Sequence, residues 1–419
     1  MLPMAPGGAD VRLPLAHLAF GLLASLALAA ALLVEPGWAA YGLPGSSATL
    51  VLTHLFTLGW VTATTMGAML MIVPVAGVAK VPAGRFALLV PGGTLPGVVL
   101  MLLGFGYGLP GLLAVGGSLV VLGVLAFCYL LLRTVQGVTV PSPTPAGALV
   151  AACFLVLTVL FGLTEALNFS YGFWQVSPVR FLALHADLGG FGWITLAILA
   201  VSYKLIAMFT LSHEHERYPV AVFVLWSLAV LWAGAMALFG SDRLAALAAL
   251  PALAAYILFL MDMRRLVSAR QRPIEPGIRQ AILSWLVLGV LLIAIPLQLL
   301  GVLKISPYAY AWLFAFGVAG ANLWGFLFKV APFLVWFHSY ADLAPGKKAP
   351  RLTDMVGPGY LRAGSWFLYL AVPLGTAGLA IPYRPVLAAG AVLGVLAAAA
   401  FTAAGWRLAG HYVGRPPVA

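Results

Sequence analysis

The chain has 419 residues, 63% of them hydrophobic and only 8% charged, and its mean hydropathy is +1.06. Soluble domains carry about 25% charged residues, so this composition excludes a soluble enzyme, a nucleic-acid binder and a disordered chain. The net charge of +11 then reads as a membrane-topology signal rather than a nucleic-acid footprint.

The N-terminal stretch up to Asp10 and Arg12 is too polar and too rich in Pro and Gly for a signal peptide, so the first apolar run reads as a retained span. A spanning helix needs about 20 mostly apolar residues. Twelve such runs follow one another, at 13–34, 48–76, 84–106, 110–133, 146–170, 180–211, 218–240, 244–266, 279–302, 307–338, 362–381 and 384–407. Breakers separate them, among them Glu35-Pro36-Gly37, Pro82-Ala83-Gly84, Pro141 to Pro145, Pro273 to Gly277 and Pro345 to Lys348. No gap is long enough for a soluble domain, so residues 1–419 read as one polytopic, all-α membrane domain. With both termini on one side, every Lys and Arg except Arg180, Arg243, Lys304 and Arg384 falls on that side. The positive-inside rule makes it the cytoplasm, for a prokaryotic inner membrane. Trp38, Tyr41, Tyr171, Trp174, Tyr308, Tyr310 and Trp312 fall near outer span ends, as interface anchors do. Cys128 and Cys153 lie in apolar runs without metal spacing and read as buried packing residues.

Ionisable residues within spans are costly and mark function. Of seven histidines, only His54 in span 2 and His185 in span 6 lie well inside one. In both, Gly follows by five residues (Gly59, Gly190) and Thr by ten (Thr64, Thr195), with a Gly-Trp pair nearby (Gly59-Trp60, Gly192-Trp193). Each His is about six residues into a span running inward, roughly 9 Å along the axis at 1.5 Å per residue. A stripe of small residues accompanies each, either for close helix packing or as room for a flat cofactor. Two imidazoles suit a b-type haem. Glu165 and Asn168 of span 5 reach the same depth, Asp187 could orient His185 through its second nitrogen, and Arg180 could pair with propionates. At the inner side, His213 and His215 form a His-x-His that could hold Cu or Zn. Lys204 and Lys329 read either as snorkelling side chains or as a proton entry path.

Spans 2, 6 and 10 also resemble one another at their ends, at Met71 to Pro74, Tyr203 to Met208 and Phe328 to Pro332. This regular placement suggests three pseudo-repeated four-helix arcs in a ring. Twelve spans, with His54 followed by Thr57-Leu58-Gly59-Trp60, resemble the catalytic subunit of haem–copper oxidases and nitric oxide reductases. The chain is most similar to their single-chain NnrS-type relatives. The resemblance implies that His54 ligates a low-spin haem near the outer face. It also implies a role in electron transfer from a quinol or cytochrome donor, or in handling NO or another small gas. The chain departs from the oxidase pattern in lacking an internal His-x-His in span 10 and any His in span 7. An oxidase-type haem–copper centre is therefore not expected, and copper has little support. What remains is one haem held by His54 and His185, or by one of them. A transporter of a metal, haem or small solute is the competing reading, since Gly and Pro abound in the spans. Substrate, oxidoreductase activity and homo-oligomerisation stay open at this level.

Overall fold

The computed structural model describes residues 10–34, 46–82, 84–173, 178–213, 215–341 and 349–413. Twelve of the helices formed by these residues are long and apolar enough to cross a membrane. They are α1 (Arg12–Val34), α2 (Ser47–Gly77), α3 (Arg85–Tyr107), α4 (Pro110–Gln136), α5 (Pro143–Tyr171), α6 (Val179–Thr210), α7 (Pro219–Leu238), α8 (Asp242–Ser268), α9 (Pro276–Leu299), α10 (Pro307–Tyr340), α11 (Pro358–Ala380) and α12 (Arg384–Tyr412). No strand occurs among the described residues. The protein is an all-α membrane protein, and each helix overlaps one of the twelve apolar runs. Glu35 to Gly37, Trp38, Tyr41, Ala83, Trp174, Glu214, Lys347, Lys348 and Arg415 lie outside the described residues.

Helix ends follow local chemistry. Ser46 caps α2, its side chain accepting from the Thr49 N–H at 3.3 Å. Pro occupies the first turn of α4, α5, α7 and α11, where its missing N–H costs nothing. That explains why α5 and α11 begin a few residues before their apolar runs. Gly108 and Gly172 end α3 and α5 in the left-handed conformation, at φ 63° and 64°.

The described residues fall into two compact units. Unit 1 takes those of Met1–Leu13, Thr65–Ile274 and Leu288–Ile305, and unit 2 those of Pro14–Thr64, Glu275–Val287 and Ser306–Ala419. In unit 1, α3 and α4 meet along a glycine seam. A Cβ at Gly93 would lie 2.8 Å from the Gly123 nitrogen, and one at Gly116 would lie 2.5 Å from that of Met101. Backbones approach this closely only where side chains are absent, the usual packing of helices in lipid. In unit 2, α11 and α12 meet in the same way at Gly375 and Gly390.

Each unit also has a buried polar tie. In unit 1, the fully buried Asp262 of α8 accepts the backbone N–H groups of Arg217 and Tyr218, both at 3.0 Å, just before α7 begins. Arg265 lies 3.8 Å from the same carboxylate. In unit 2, Gln280 of α9 donates to the Ala321 carbonyl at 2.9 Å and accepts from the Ser365 hydroxyl at 2.7 Å. One turn on, Asn322 donates to Ser284 at 3.2 Å. Asp262, Gln280, Ser284, Asn322 and Ser365 are all buried, and such groups must be paired when no water can reach them.

Two expectations need correction. Cys153 is exposed and Cys128 half-buried, because in a membrane chain an apolar stretch can face lipid instead of protein. Trp312 is 4% exposed, lies against Gly375 and directs its indole N–H to the Ala371 carbonyl at 3.3 Å. It is therefore a packing residue of unit 2 and not an interface anchor.

Candidate functional site

Three of the twelve helices share one departure from regular α geometry. In α2, α6 and α10 a π-helical segment of 8 residues interrupts the α-helix, at Leu55–Thr62, Leu188–Thr195 and Leu313–Gly320. Its hydrogen bonds reach five residues back, as from the Ala63 N–H to Leu58 and from the Ala321 N–H to Phe316. In α6 the Thr195 hydroxyl donates to the Gly190 carbonyl at 2.9 Å. π-segments are rare and concentrate at functional sites.

Aligned from their first residues, the three segments show a sequence repeat. Leu55, Leu188 and Leu313 open them, and Gly59, Gly192 and Gly317 take the fifth position. Trp60, Trp193 and Val318 follow, then Thr62, Thr195 and Gly320 close the segments. The same register brings Lys204 over Lys329 and Pro74 over Pro332. The expected repeat among these helices is therefore real as local geometry. It corrects the histidine match, however. His54 corresponds to Asp187 and Trp312, whereas His185 corresponds to Leu52 and Tyr310. The two histidines are two repeat positions apart, about 3 Å along an α-helix axis, and residues so spaced point to different faces. The glycine–tryptophan pair, and not the histidine, sets the common register.

In unit 2, His54 is the last residue before its π-segment. Its Nδ1 donates to the Leu50 carbonyl at 2.8 Å. That bond places a proton on Nδ1 and the lone pair on Nε2 of the neutral ring, the tautomer that metal-bound histidines usually adopt. Beyond it, Trp60 is 1% exposed. Its ring belongs to a continuous aromatic series, Trp312–Phe316 at 4.5 Å, Phe316–Trp60 at 6.1 Å, Trp60–Trp324 at 4.4 Å and Trp324–Phe401 at 4.7 Å. Gly320 makes room for it, since a Cβ there would stand 2.7 Å from the Trp60 ring. Thr64, expected near a cofactor, lies against Gly21 of α1 with its hydroxyl buried.

In unit 1, His185 is half-buried and rests on α5 at Gly162, where a Cβ would lie 2.7 Å from Cε1. The small stripe of α6 is filled by α5. Gly189 faces Thr158, and Gly192 faces the Phe154 ring. Of the two uses open to that stripe, close packing is the one realised on this face. Asp187 turns the other way, toward Gly234 of α7, so it does not orient His185. Its place two residues on along the helix accounts for this. Arg180 is exposed and lies over the Gly240 turn after α7. Glu165 is half-buried on α5. Thr195 is fully buried and engaged with Gly190.

His213 and His215 are exposed in the turn before α7, and no group of three or more His, Cys, Asp or Glu gathers as a metal site among the described residues. Lys329 forms an ion pair with Glu275 in unit 2, which gives that lysine a structural partner. The residues missed by sequence reasoning are Asp262 and Gln280. Asp262 sits two residues ahead of Arg264 and Arg265, whose charges serve the orientation argument, and Gln280 carries no charge to draw notice. The Leu-to-Gly spacing of the π-segments was visible but was not counted from the right residue. No family model matches the chain, and no curated protein matches it.

Proposed function

We propose that the chain is a membrane b-type haem protein, with His54 as an axial ligand, serving electron transfer or the handling of NO or another small gas. The observation that carries this reading is the Nδ1 hydrogen bond of His54 to the Leu50 carbonyl, at the mouth of a π-segment. It gives the imidazole the tautomer and the fixed ring that iron ligation uses. When bound, the haem would supply one-electron chemistry or a gas-binding iron. The chain's own part is to hold the ring, through Leu50, and to keep water out, through the aromatic series behind Trp60. His185 is the second imidazole candidate, supported by its seat on Gly162, and its own variant tests it. The exposed His213 and His215 offer copper little. Resemblance to the nitric oxide reductase superfamily, a quinol or cytochrome donor, and cytoplasmic termini in a prokaryotic inner membrane complete the proposal. The lopsided placement of Lys and Arg supports that orientation.

The test is the haem content of protein purified from cells supplied with haem precursor, read by pyridine haemochrome. Haem b near one per chain, falling several-fold in His54→Ala but retained in His411→Ala, is expected. Haem absent from the unaltered protein overturns the proposal.

A further inference from the structure

Unit 1 holds a cleft of ≈ 100 Å³ among α6, α7, the start of α8 and the last turns of α9. Its walls are apolar, with the small side chains of Ala229, Ala233 and Ala252 lining it together with Phe191, Trp226 and Pro296. The Trp226 indole N–H donates to the Phe191 carbonyl at 2.8 Å, which fixes that wall to the π-segment of α6. One ionisable side chain, Asp187, lines the cleft. Its Oδ2 is buried and lies against the Gly234 backbone of α7, which offers it one poorly aligned N–H, and no well-formed hydrogen bond reaches it. A buried polar atom in a low-dielectric setting is costly until something pairs with it.

The size limits the ligand. An engineered apolar cavity of about 150 Å³ accepts benzene, so the cleft takes a head smaller than that ring, with the rest leaving through the open side. Leu244 and Leu247, which alternate with the lining alanines of α8, are 47% and 49% exposed. In a membrane chain such leucines face hydrocarbon, so α8 alone separates this wall of the cleft from lipid, where an apolar ligand concentrates. A hydroxyl suits Asp187 best. It donates to a carboxylate and also accepts from a carboxylic acid, so it pairs with the side chain in either protonation state.

We infer that the cleft of unit 1 binds a small lipid-soluble alcohol, with Asp187 pairing with its hydroxyl and the alanine–Trp226 walls holding its first few carbons. The inference is independent of haem, because its readout is a covalent label. The test irradiates the purified full-length protein with 3-azioctanol, a photoreactive alcohol, and maps the adducts by mass spectrometry. Adducts are expected in the segments 187–191 and 226–252. 1-Octanol should displace them and octane should not. In Ala252→Leu, which fills the cleft and keeps Asp187, they should fall at least five-fold. Absence of adducts from both segments in the unaltered protein overturns the inference. So does equal displacement by octane, or undiminished labelling of folded Ala252→Leu.

Discussion

Trp60 and Trp193 occupy one position of one repeat, on the same kind of π-segment, and both are 1% exposed. Their surroundings differ. In unit 2, Trp60 lies among Phe56, Phe316 and Trp324, with ring centroids 4.4 to 6.1 Å apart. In unit 1, Trp193 has Phe127 at 6.4 Å, and the helix around it is held by glycines seated on α5. The same local backbone is thus stabilised by ring-on-ring contact in one unit and by α5 side chains seated on glycines in the other. In unit 2 the rings fill the space around Trp60, and His54 is held separately, by its bond to Leu50. Glycine packing uses one face of α6 and leaves, on another, a cleft with a poorly satisfied carboxyl oxygen.

The contrast can be broken from either side. Trp60→Ala should have the largest effect, a loss of about 3–5 kcal/mol, because several rings lose a common partner. Trp193→Ala should cost about 1 kcal/mol less, the worth of the additional ring pairs. Thermal unfolding of both variants in detergent, followed by size-exclusion chromatography, gives the order, and a reversed order breaks the comparison. Next, Asp262→Ala should destabilise unit 1 by about 3 kcal/mol, since two backbone donors ahead of α7 lose a charged acceptor. Limited proteolysis in the 211–218 turn should quicken in that variant, and an unchanged cleavage rate would count against the capping role. Gln280→Leu should cost unit 2 about 2 kcal/mol by leaving the Ser365 hydroxyl unpaired. Adding Ser365→Ala should recover part of that loss, and strictly additive penalties would contradict the coupling. The smallest effect is expected from Gly162→Ala, about 1 kcal/mol as the His185 ring is displaced from α5.

The fold was largely legible because lipid imposes a simple requirement. Each span must be a long apolar helix with its own hydrogen bonds, so counting apolar runs between Pro and Gly breakers located all twelve. Hydropathy does not distinguish a face turned to lipid from one turned to protein, which is why Cys153 was expected to be buried and Trp312 to sit at an interface. The candidate site was legible in part. His54 stood out as an ionisable residue in a span, but its bond to Leu50 depends on rotamer and local backbone. The π-segments shift the register by local widening that residue type alone does not announce. His185 and Asp187 looked like partners by proximity in sequence, and the helix sends them to α5 and α7 respectively.

His54, with Nδ1 held by the Leu50 carbonyl, is proposed to present a prepared imidazole to haem iron. The reduced-minus-oxidised visible spectrum of the purified protein tests it most directly, taken for the unaltered chain and for His54→Ala side by side. A sharp Soret band with resolved α and β bands, lost or shifted in His54→Ala, is the predicted result. A colourless protein after expression with haem precursor, or a spectrum indifferent to His54→Ala, would contradict it.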